Sequence, residues 1–363
     1  MPKQQPAARA RVRISDVAAA LGVAVSTVSN AYNRPDQLSA ELRERVLATA
    51  AQLGYPGPSA VARSLRQQRA DAVGVIFAER LSYAFDDPAS AQVLAGIASA
   101  LEEARLGLLL VPGRSDSTTT VERALVDGFI VYSILETDPI VTAALARRIP
   151  TVLLDQPPRA GVPSITIDDA DGARQAAEHL LRHGHRRLAI ITDRLTEPTA
   201  GEPPPLSLHQ QAEQTFFVTQ MRFRGYRAAI EQAGIAWPDV QIVERDDNSE
   251  ADGASAMRAL LGDPPTAVLC LTDRLALGAM RAAQQAGLHV PRDISIVGFD
   301  DIPETATCTP PLTTIRQAHR EKGRLAGQAL LALLRHQGQV AHTNLPVQLV
   351  ERGSSGPAPR SPA

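Results

Sequence analysis

The chain has 363 residues, of which 44% are hydrophobic, with 37 Lys and Arg against 39 Asp and Glu. That length allows a small head and a larger body of two subdomains, and the hydrophobic content is sufficient for a full core. No apolar run is long enough to span a membrane, and the polar, basic amino terminus has no apolar signal region, so we expect a cytoplasmic protein without a membrane partner. Cys270 and Cys308 lack the spacing and histidine neighbours that would predict a metal site or a disulfide, and nothing else predicts a cofactor.

The first predicted elements are two short helices joined by a tight turn within residues 14–33. Ser15 is placed to cap the first helix with its hydroxyl, and Gly22 ends it because glycine tolerates a left-handed conformation. The second helix is predicted from about Val25 to Tyr32, with its apolar residues, Val25 among them, facing inward. The opposite face carries short polar side chains suited to bases and phosphates. They are Ser26, Thr27, Ser29 and Asn30.

A third helix is predicted to begin after Ser39, whose hydroxyl can cap it, and to end at Gly54. Its expected buried stripe is Leu42, Val46, Leu47, Ala50 and Leu53. Three helices around one apolar centre predict a compact helix-turn-helix head over residues 1–56. The alternative is an ordinary helical bundle whose polar face is merely solvated.

Charge is divided unevenly along the chain. Residues 1–69 hold ten Lys and Arg and four acids, a net charge of +6, so the remaining residues carry −8. A basic head concentrates where phosphates are, while an acidic body stays in solvent. Because the asymmetry coincides with the helix-turn-helix pattern, it favours DNA binding over a solvated face.

Residues 57–70 are predicted to form a hinge helix and linker. A helix this short is marginal in water and needs a DNA groove or a partner copy to form. Leu65 lies between Arg63 and Arg66, the pattern of a hydrophobic wedge that enters the minor groove beside phosphate contacts. The alternative is a plain linker whose leucine docks on the body.

In combination these segments resemble the lactose-repressor (LacI/GalR) family of bacterial transcription regulators. The matching stretches are Ser15-Asp-Val-Ala, Gly22-Val, Ser26-Thr-Val-Ser, Glu44-Arg-Val-Leu, Leu53-Gly-Tyr and Ala62-Arg-Ser-Leu. The resemblance implies a nucleoid-associated homodimer on a near-palindromic double-stranded operator, with the second helix in the major groove and paired hinge helices in the central minor groove. We expect a dimer rather than a tetramer, because no carboxyl-terminal leucine heptad is seen.

By the same resemblance, Val25, Ser26 and Asn30 would read bases and Leu65 would intercalate. Asn30 stands where many relatives carry Arg or His, so a different half-site preference is expected, since Asn pairs with adenine and Arg with guanine. Ala24 replaces a frequent serine cap. The full predicted DNA-contact set is Ser15, Val25, Ser26, Thr27, Ser29, Asn30, Asn33, Arg63 and Leu65.

From Ala72 onward, short apolar runs alternate with helical patterns, which predicts parallel sheets with helices on both faces. The strand candidates are 72–77, 108–111, 129–132, 151–154, 164–167, 188–192, 240–243, 267–271 and 294–298. The helix candidates include 89–105, 169–182, 218–233, 250–261, 274–286 and 317–335. So many strands suit two sheets better than one, and a ligand would then bind in a cleft beyond the strand ends.

This body resembles the periplasmic-binding-protein-like effector core of the same family. The matching stretches include Gly74-Val, Asp127-Gly, Glu178-His-Leu, Gly184-His-Arg-Arg, Arg222-Phe-Arg-Gly-Tyr, Val290-Pro-Arg-Asp-Ile-Ser-Ile-Val-Gly-Phe-Asp-Asp301 and Pro311-Leu-Thr-Thr. The resemblance implies a core over 71–353 in which the chain crosses three times between two parallel-sheet lobes. We expect an N-lobe of about 71–168 and 300–325, and a C-lobe of about 169–299 and 326–353.

Candidate effector ligands lie at strand ends, where carboxylates and a guanidinium suit the hydroxyls of a sugar or the edge of a purine. The family match favours Arg222 and Asp300 most. Asp273 could instead cap its helix, and Asp155 could be a turn residue. Thr272 replaces a common asparagine, and Asn248 falls where relatives stack an aromatic ring. The predicted effector set is Asp155, Arg222, Thr272, Asp273, Asp300 and Asn248.

Two further segments stand apart. The Pro-rich residues 194–215 are expected to form a long loop, either a lid near the cleft or a surface insertion. The Gly/Pro/Ser-rich residues 354–363 are expected to be a disordered tail.

The sequence therefore predicts a repressor rather than an enzyme. A small molecule, which we expect to be a sugar or sugar derivative, controls its affinity for the operator. A solute-binding receptor without a DNA role is the alternative that the body alone would permit, but the basic head argues against it. An enzyme is disfavoured because no Gly-x-Gly-x-x-Gly, phosphate loop or nucleophile elbow is present.

Overall fold

The computed structural model describes residues 12–57, 69–77, 81–113, 118–195, 207–211, 216–337 and 341–359. The chain divides into two compact units, a head of residues 1–70 and a core of residues 71–363. The predicted hinge positions Arg63 and Leu65 lie outside the described residues. In the described part of the chain no single helix is long and apolar enough to cross a membrane, and one bent pair, Ile14–Leu21 with Val25–Asn33, passes by length and composition only.

Within its described residues, 12–57 and 69–70, the head has three α-helices around a small apolar centre. They are α1 (Ile14–Leu21), α2 (Val25–Asn33) and α3 (Ala40–Leu53), with a 3-10 turn at Pro35–Gln37. Val17, Val28 and Val46 are fully buried at that centre. Gly22 ends α1 at a φ of 67°, as expected for a left-handed residue in a tight turn. The predicted all-α head with a helix-turn-helix is confirmed.

Three local predictions in the head are wrong. Helix α1 begins at Ile14, before Ser15, so the Ser15 hydroxyl does not cap it but donates to Asp16 Oδ1 at 3.3 Å. Asp16 Oδ2 instead accepts the backbone N–H of Arg13 at 2.7 Å. Val25 is 47% exposed and Leu53 is 39% exposed, so neither faces inward. Neither belongs to the cluster of apolar residues at the centre of the head.

Two capping predictions hold. Ser39 precedes α3 and its hydroxyl accepts the Leu42 backbone N–H at 3.3 Å. Ala24 precedes α2 without any side-chain cap, as its methyl group requires.

The core contains two parallel sheets. The N-lobe sheet has the order β11-β5-β4-β3-β1-β2 and the C-lobe sheet the order β7-β6-β8-β9, and β10 pairs antiparallel with β12. The strands are β1 (Ala72–Phe77), β2 (Gly107–Pro112), β3 (Gly128–Tyr132), β4 (Thr151–Leu154), β5 (Ser164–Ile167), β6 (Leu188–Thr192), β7 (Gln241–Glu244), β8 (Ala267–Cys270), β9 (Ser295–Val297), β10 (Thr314–Arg316), β11 (His342–Leu345) and β12 (Gln348–Val350).

Helices cover both faces of these sheets, so the central strands β3, β4, β6 and β8 are buried along their whole length. The helices of the core are α4 (Tyr83–Asp86), α5 (Pro88–Ala104), α6 (Thr119–Arg123), α7 (Pro139–Ala146), α8 (Asp169–Arg182), α9 (Leu208–Gln211), α10 (Phe217–Gln232), α11 (Glu250–Leu260), α12 (Asp273–Gln285), α13 (Glu304–Thr307) and α14 (His319–Leu334). The nine predicted strands and six predicted helices are all present, and the predicted fold class is confirmed.

The lobe boundaries predicted for the last third of the chain need correction. Residues 300–316 lie with the C-lobe sheet, because Asp300 bridges Arg316 and Val297 bridges Thr313. Residues 319–345 lie with the N-lobe, where α14 packs against α5 and β11 pairs parallel with β5. The chain still crosses three times between the lobes, at 167–169, 316–319 and 345–348. These partners are distant in sequence, so periodicity could not assign them.

The segment 354–359 is an ordered part of the C-lobe, contrary to the predicted disordered tail. Ser354 is fully buried and its hydroxyl donates to Ile296 O at 2.6 Å. The backbone N–H of Ala358 donates to His183 O at 2.8 Å. Composition alone therefore misled, because the segment is held by hydrogen bonds to β9 and to the end of α8. Residues 360–363 lie outside the described residues.

The predicted 194–215 loop contains the short helix α9, and residues 196–206 and 212–215 of it lie outside the described residues. Neither of its two interpretations is tested.

Glycine allows α11 and α12 to pack with their backbones in contact. A Cβ on Gly278 of α12 would collide with the backbone carbonyl of Glu250, and one on Gly253 of α11 would collide with that of Leu275. We expect Gly278→Ala to lower the free energy of unfolding by about 1–3 kcal/mol, because the two backbones must separate. Denaturant unfolding followed by circular dichroism measures this.

Gly262→Ala is the matched control, since a Cβ there meets no atom within 4 Å. Equal unfolding midpoints for the two variants would contradict the close packing of α11 on α12.

Candidate functional site

The exposed face of α2 carries the predicted DNA-contact residues. Val25 and Ser26 are exposed, whereas Thr27 and Ser29 are half-buried. Two amides on this helix already have partners within the head. Asn30 Nδ2 donates to Gln37 Oε1 at 3.3 Å, and Asn33 Nδ2 donates to Ser29 O at 3.0 Å. Asn33 is thus tied to its own helix, and Asn30 is steadied by the following turn.

A cleft of about 150 Å³ lies between the two lobes of the core, at the carboxyl ends of their strands. Ligands bind at this edge of parallel sheets because loops and helix starts converge there. From the N-lobe, Phe77 is the last residue of β1 and Asp155 follows β4. From the C-lobe, Thr272 follows β8 and Asp300 follows β9. The cleft therefore draws on both sheets.

A buried chain of polar side chains runs along the floor of the cleft. Lys322 of α14 donates to Asp155 Oδ2 at 2.5 Å and to Gln317 Oε1 at 2.9 Å. Gln317 lies on the crossover between β10 and α14, and its Nε2 donates to Asp300 Oδ1 at 2.7 Å. The chain thus connects a carboxylate of the N-lobe to one of the C-lobe through the crossover.

Arg222 of α10 extends this chain within the C-lobe. Its Nε donates to Asp169 Oδ1 at 2.9 Å, and its Nη2 lies 3.5 Å from Asp300 Oδ1. Its guanidinium carbon lies 3.7 Å from the centre of the Phe299 ring, and Nη1 donates to Leu271 O. Arg222 lines the cleft while its charge and most of its donors are already used.

At the side of the cleft, a side-chain hydrogen bond joins a residue of the C-lobe directly to a residue of the N-lobe. Asn248 Nδ2 of the C-lobe donates to the hydroxyl of Tyr83, in α4 of the N-lobe, at 2.7 Å. Asn248 Oδ1 in turn accepts from the Thr272 hydroxyl at 2.5 Å. Asn248 and Thr272, both members of the predicted effector set, therefore contact each other, and Asn248 also contacts the N-lobe.

Asp273 is not among the residues that line the cleft, although the sequence analysis places it there. It is fully buried, and its Oδ1 accepts from the Thr314 hydroxyl at 2.5 Å. Its Oδ2 accepts the Ile302 backbone N–H at 3.0 Å. The cap of α12 is Thr272, so Asp273 instead fastens β10 and the segment after β9 to this helix.

The two carboxylates at the strand ends hold unusual backbone conformations. Asp155 has a φ of 52° and Asp300 a φ of 121°. A non-glycine residue in this region costs on the order of 1–3 kcal/mol, which the surrounding bonds must offset. Such strain concentrates at ligand sites, so it supports a functional role for both residues.

Burial shifts the pKa values of Asp300 and His319 in the cleft. It raises the pKa of Asp300 to about 7, and the nearby Arg222 guanidinium only partly opposes it. It lowers the pKa of His319 to about 3, so this ring is neutral at physiological pH. The Nε2–H of His319 donates to Asp300 O at 3.0 Å.

Sequence analysis missed several residues of the cleft. Lys322, Gln317 and His319 come from the last crossover and α14, and Tyr83 comes from the short helix α4. A lysine and a histidine in a predicted helix give no signal that distinguishes them from solvated residues. Only correct placement of α14 in the N-lobe would have found them.

Comparison with known proteins agrees with both units. The model "Bacterial regulatory proteins, lacI family" matches residues 13–57, and the model "Periplasmic binding protein-like domain" matches residues 177–355. The HTH-type transcriptional regulator Rv3575c of Mycobacterium tuberculosis is 41% identical over 360 residues, covering 97% of this chain and 99% of its own. The chain belongs to the lacI family of bacterial regulatory proteins.

Solved structures of this LacI family share the fold. The complex of the transcriptional regulator CelR with cellobiose has a TM-score of 0.67 at 28% identity, covering 95% of this chain and 100% of its own. The lac repressor dimer bound to operator and the anti-inducer ONPF has a TM-score of 0.74 at 30% identity, covering 95% and 99%. The predicted family and the predicted class, a helix-turn-helix transcriptional regulator, are confirmed.

The pKa of Asp300 in this LacI-family core predicts a pH dependence of stability. Its carboxyl keeps its proton in the folded state up to about pH 7 and loses it near pH 4 when unfolded. The free energy of unfolding of the wild type therefore decreases as the pH rises through this window, because the unfolded chain releases the Asp300 proton first. Asp300→Asn has no such proton to lose, so this contribution is absent from the variant. We expect the stability of Asp300→Asn relative to wild type to increase by on the order of 2 kcal/mol from pH 4.5 to 7.5.

Denaturant unfolding at each pH measures this difference. Asp239→Asn, on the exposed surface, controls for the substitution itself. A constant difference between Asp300→Asn and wild type across the range would show that the carboxyl is not protonated in the fold.

Proposed function

We propose that this LacI-family regulator is a repressor that binds a near-palindromic operator as a homodimer, and that a small molecule in the interlobe cleft controls its operator affinity. The observation that carries the proposal is the cleft itself, in which polar groups of both sheets converge in a chain that also has a helix-turn-helix head. A ligand that touches both lobes can favour one arrangement of them over another. That is how a small molecule would act on DNA binding.

The exposed end and polar face of α2 would enter the major groove. Val25 and Ser26 are the most exposed of its predicted contacts, and Asn30 offers both a donor and an acceptor. An asparagine amide pairs with N6 and N7 of adenine, so we propose an A·T pair where Asn30 reads the half-site. Ser15, Thr27, Ser29 and Asn33 would contact phosphates or adjacent bases, and Arg63 and Leu65 the central minor groove.

The effector would be a sugar or sugar derivative. Asp155 and Asp300 supply carboxylates from opposite lobes, and carboxylates accept hydrogen bonds from hydroxyl groups. Arg222, Thr272 and Asn248 add donors and acceptors around the same cavity. The similar regulator CelR holds cellobiose, which supports the class of ligand.

Selection of bound sequences from a random pool of duplex DNA, with purified full-length protein, tests the proposed function. We expect an inverted repeat with a kinkable central step, because two heads read two half-sites. No enriched sequence at low salt, with or without cell metabolites, would refute the repressor proposal.

The contribution of Asn30 is tested on the selected operator. We expect Asn30→Ala to weaken binding by about 1–3 kcal/mol and to relax the preference at one position of each half-site, since a bidentate contact is lost. Gln52→Ala, on the exposed surface of α3, is the control. Equal losses at every base of the operator would show that Asn30 contacts only the backbone.

The bond between Tyr83 and Asn248 is tested by deleting one hydroxyl. Tyr83→Phe keeps the ring but removes the acceptor that joins the lobes. We expect the sugar concentration that half-maximally changes operator binding to increase about fivefold or more, because the described lobe arrangement is destabilised. Fluorescence anisotropy of labelled operator, titrated with neutral sugars, measures it.

Tyr226→Phe is the matched control, because the buried Tyr226 hydroxyl has no hydrogen-bond partner among the described residues. Identical titrations of the two variants would mean that the interlobe bond has no part in the response.

A further inference from the structure

The wall of the interlobe cleft is acidic. Among the described residues that line it, three are basic, Arg194, Arg222 and Lys322, and six are aspartates. Burial raises the pKa of one of the six, Asp300, to about 7, and the other five still outnumber the basic side chains. The six are Asp87, Asp155, Asp193, Asp246, Asp247 and Asp300. An excess of carboxylates around a small cavity repels an anion and tolerates a neutral ligand.

The three basic side chains are already engaged by the protein. Lys322 binds Asp155 at 2.5 Å, and Arg222 binds Asp169 at 2.9 Å. Arg194 Nη2 donates to the backbone carbonyl of Asp246 at 2.8 Å. A phosphate or carboxylate ligand would have to break a buried ion pair to gain one of the first two, which costs more than the new contact returns.

Two helix amino termini that open on the cleft are occupied as well. Asp87 caps α5, accepting the Ser90 backbone N–H at 2.9 Å, and Thr272 caps α12, accepting that of Leu275 at 3.3 Å. Free backbone N–H groups at the amino termini of helices commonly form the binding sites of phosphate groups. At α5 the cap is itself negatively charged, so a second anion is excluded there.

What the cleft lacks is hydrogen-bond donors for its acceptors. Asp155 Oδ1 and His319 Nδ1 are buried and have no partner among the described residues. His319 uses its Nε2–H on Asp300 O and its ring is neutral, so Nδ1 presents a lone pair. A ligand hydroxyl group donates one hydrogen bond to an acceptor of this kind, whereas an ionised phosphate or carboxylate brings only more acceptors.

We propose that the cleft is selective for an uncharged polyhydroxylated ligand with one ring, and that it rejects phosphorylated and acidic sugars. This inference rests on the proposed effector site. A cavity of about 150 Å³ is smaller than the roughly 300–1,000 Å³ of sites for drug-sized ligands, which fits one ring better than two. Lys322 and Arg222 then position Asp155 and Asp300 for hydroxyl groups and do not bind an anion themselves.

Isothermal titration of the full-length protein tests this selectivity. The probes are neutral pentoses, hexoses and cyclohexane polyols, each beside its phosphorylated form or uronic acid, with cellobiose as the two-ring probe. We expect at least one neutral single-ring compound to bind, its anionic counterpart to bind at least tenfold more weakly, and cellobiose to bind more weakly than the best single ring.

A charge variant shows whether the acidic wall causes the discrimination. Asp246 and Asp247 are exposed at the rim. We expect Asp246→Asn with Asp247→Asn to reduce the ratio of neutral to phosphorylated affinity several-fold at low salt, because the repelling field is weakened. Asp239→Asn, away from the cleft, should leave the ratio unchanged.

The proposal is overturned if a phosphorylated or acidic sugar binds as tightly as its neutral form. Such an anion would occupy the amino terminus of α10, where Phe216 provides no side-chain cap. It is equally overturned if no neutral single-ring compound binds to a protein that still selects an operator. In both cases the proposal that the protein is a DNA-binding regulator would remain valid. Loss of operator selection, in contrast, would refute the proposed function itself.

Discussion

The buried chain of hydrogen bonds from Asp155 through Lys322 and Gln317 to Asp300 is the constraint on which the core depends. Charged groups that leave water must find partners, and each of these four side chains is at most 7% exposed. Asp155 belongs to the N-lobe, Asp300 to the C-lobe, and Gln317 to a crossover between them. One interaction network therefore fixes the floor of the cleft and ties the lobes to a connecting strand. A ligand that paired with either carboxylate would therefore act on a network that includes residues of both lobes.

The same network explains how the cleft can be rich in charge and still suit a neutral ligand. Its cations are used internally, so they hold the carboxylates in place and leave acceptor atoms to be satisfied. Backbone strain at Asp155 and Asp300 adds to the cost that these bonds offset. Hydroxyl groups of a ligand could then form hydrogen bonds with these acceptors where the two lobes meet. This coupling is what a ligand-controlled regulator requires.

The head, unlike the core, is held together by a small apolar centre. Its centre is small, and short side chains at the start of α2 remain exposed because no further layer covers them. Val25 shows the consequence, since a residue expected to support the core lies on the exposed surface of the head. Both asparagine amides of α2 are held by hydrogen bonds within the head. Asn30 donates to Gln37 of the following turn, and Asn33 donates to the Ser29 carbonyl of its own helix. The folding of the head depends on its buried valines, Val17, Val28 and Val46.

The sequence by itself determined the two units, every predicted strand and helix of the core, the left-handed turn at Gly22 and the family, because these rest on periodicity, caps and local motifs. It also named five cleft residues, since polar groups after parallel strands meet at one edge. Only the tertiary structure decided that α14 and β11 join the N-lobe, that residues 354–359 pack on the C-lobe, and that Lys322 meets Asp155, 167 positions away. It also showed that Asp273 does not line the cleft. Such outcomes depend on which buried surfaces and polar groups find each other across the fold, and no local pattern carries that information.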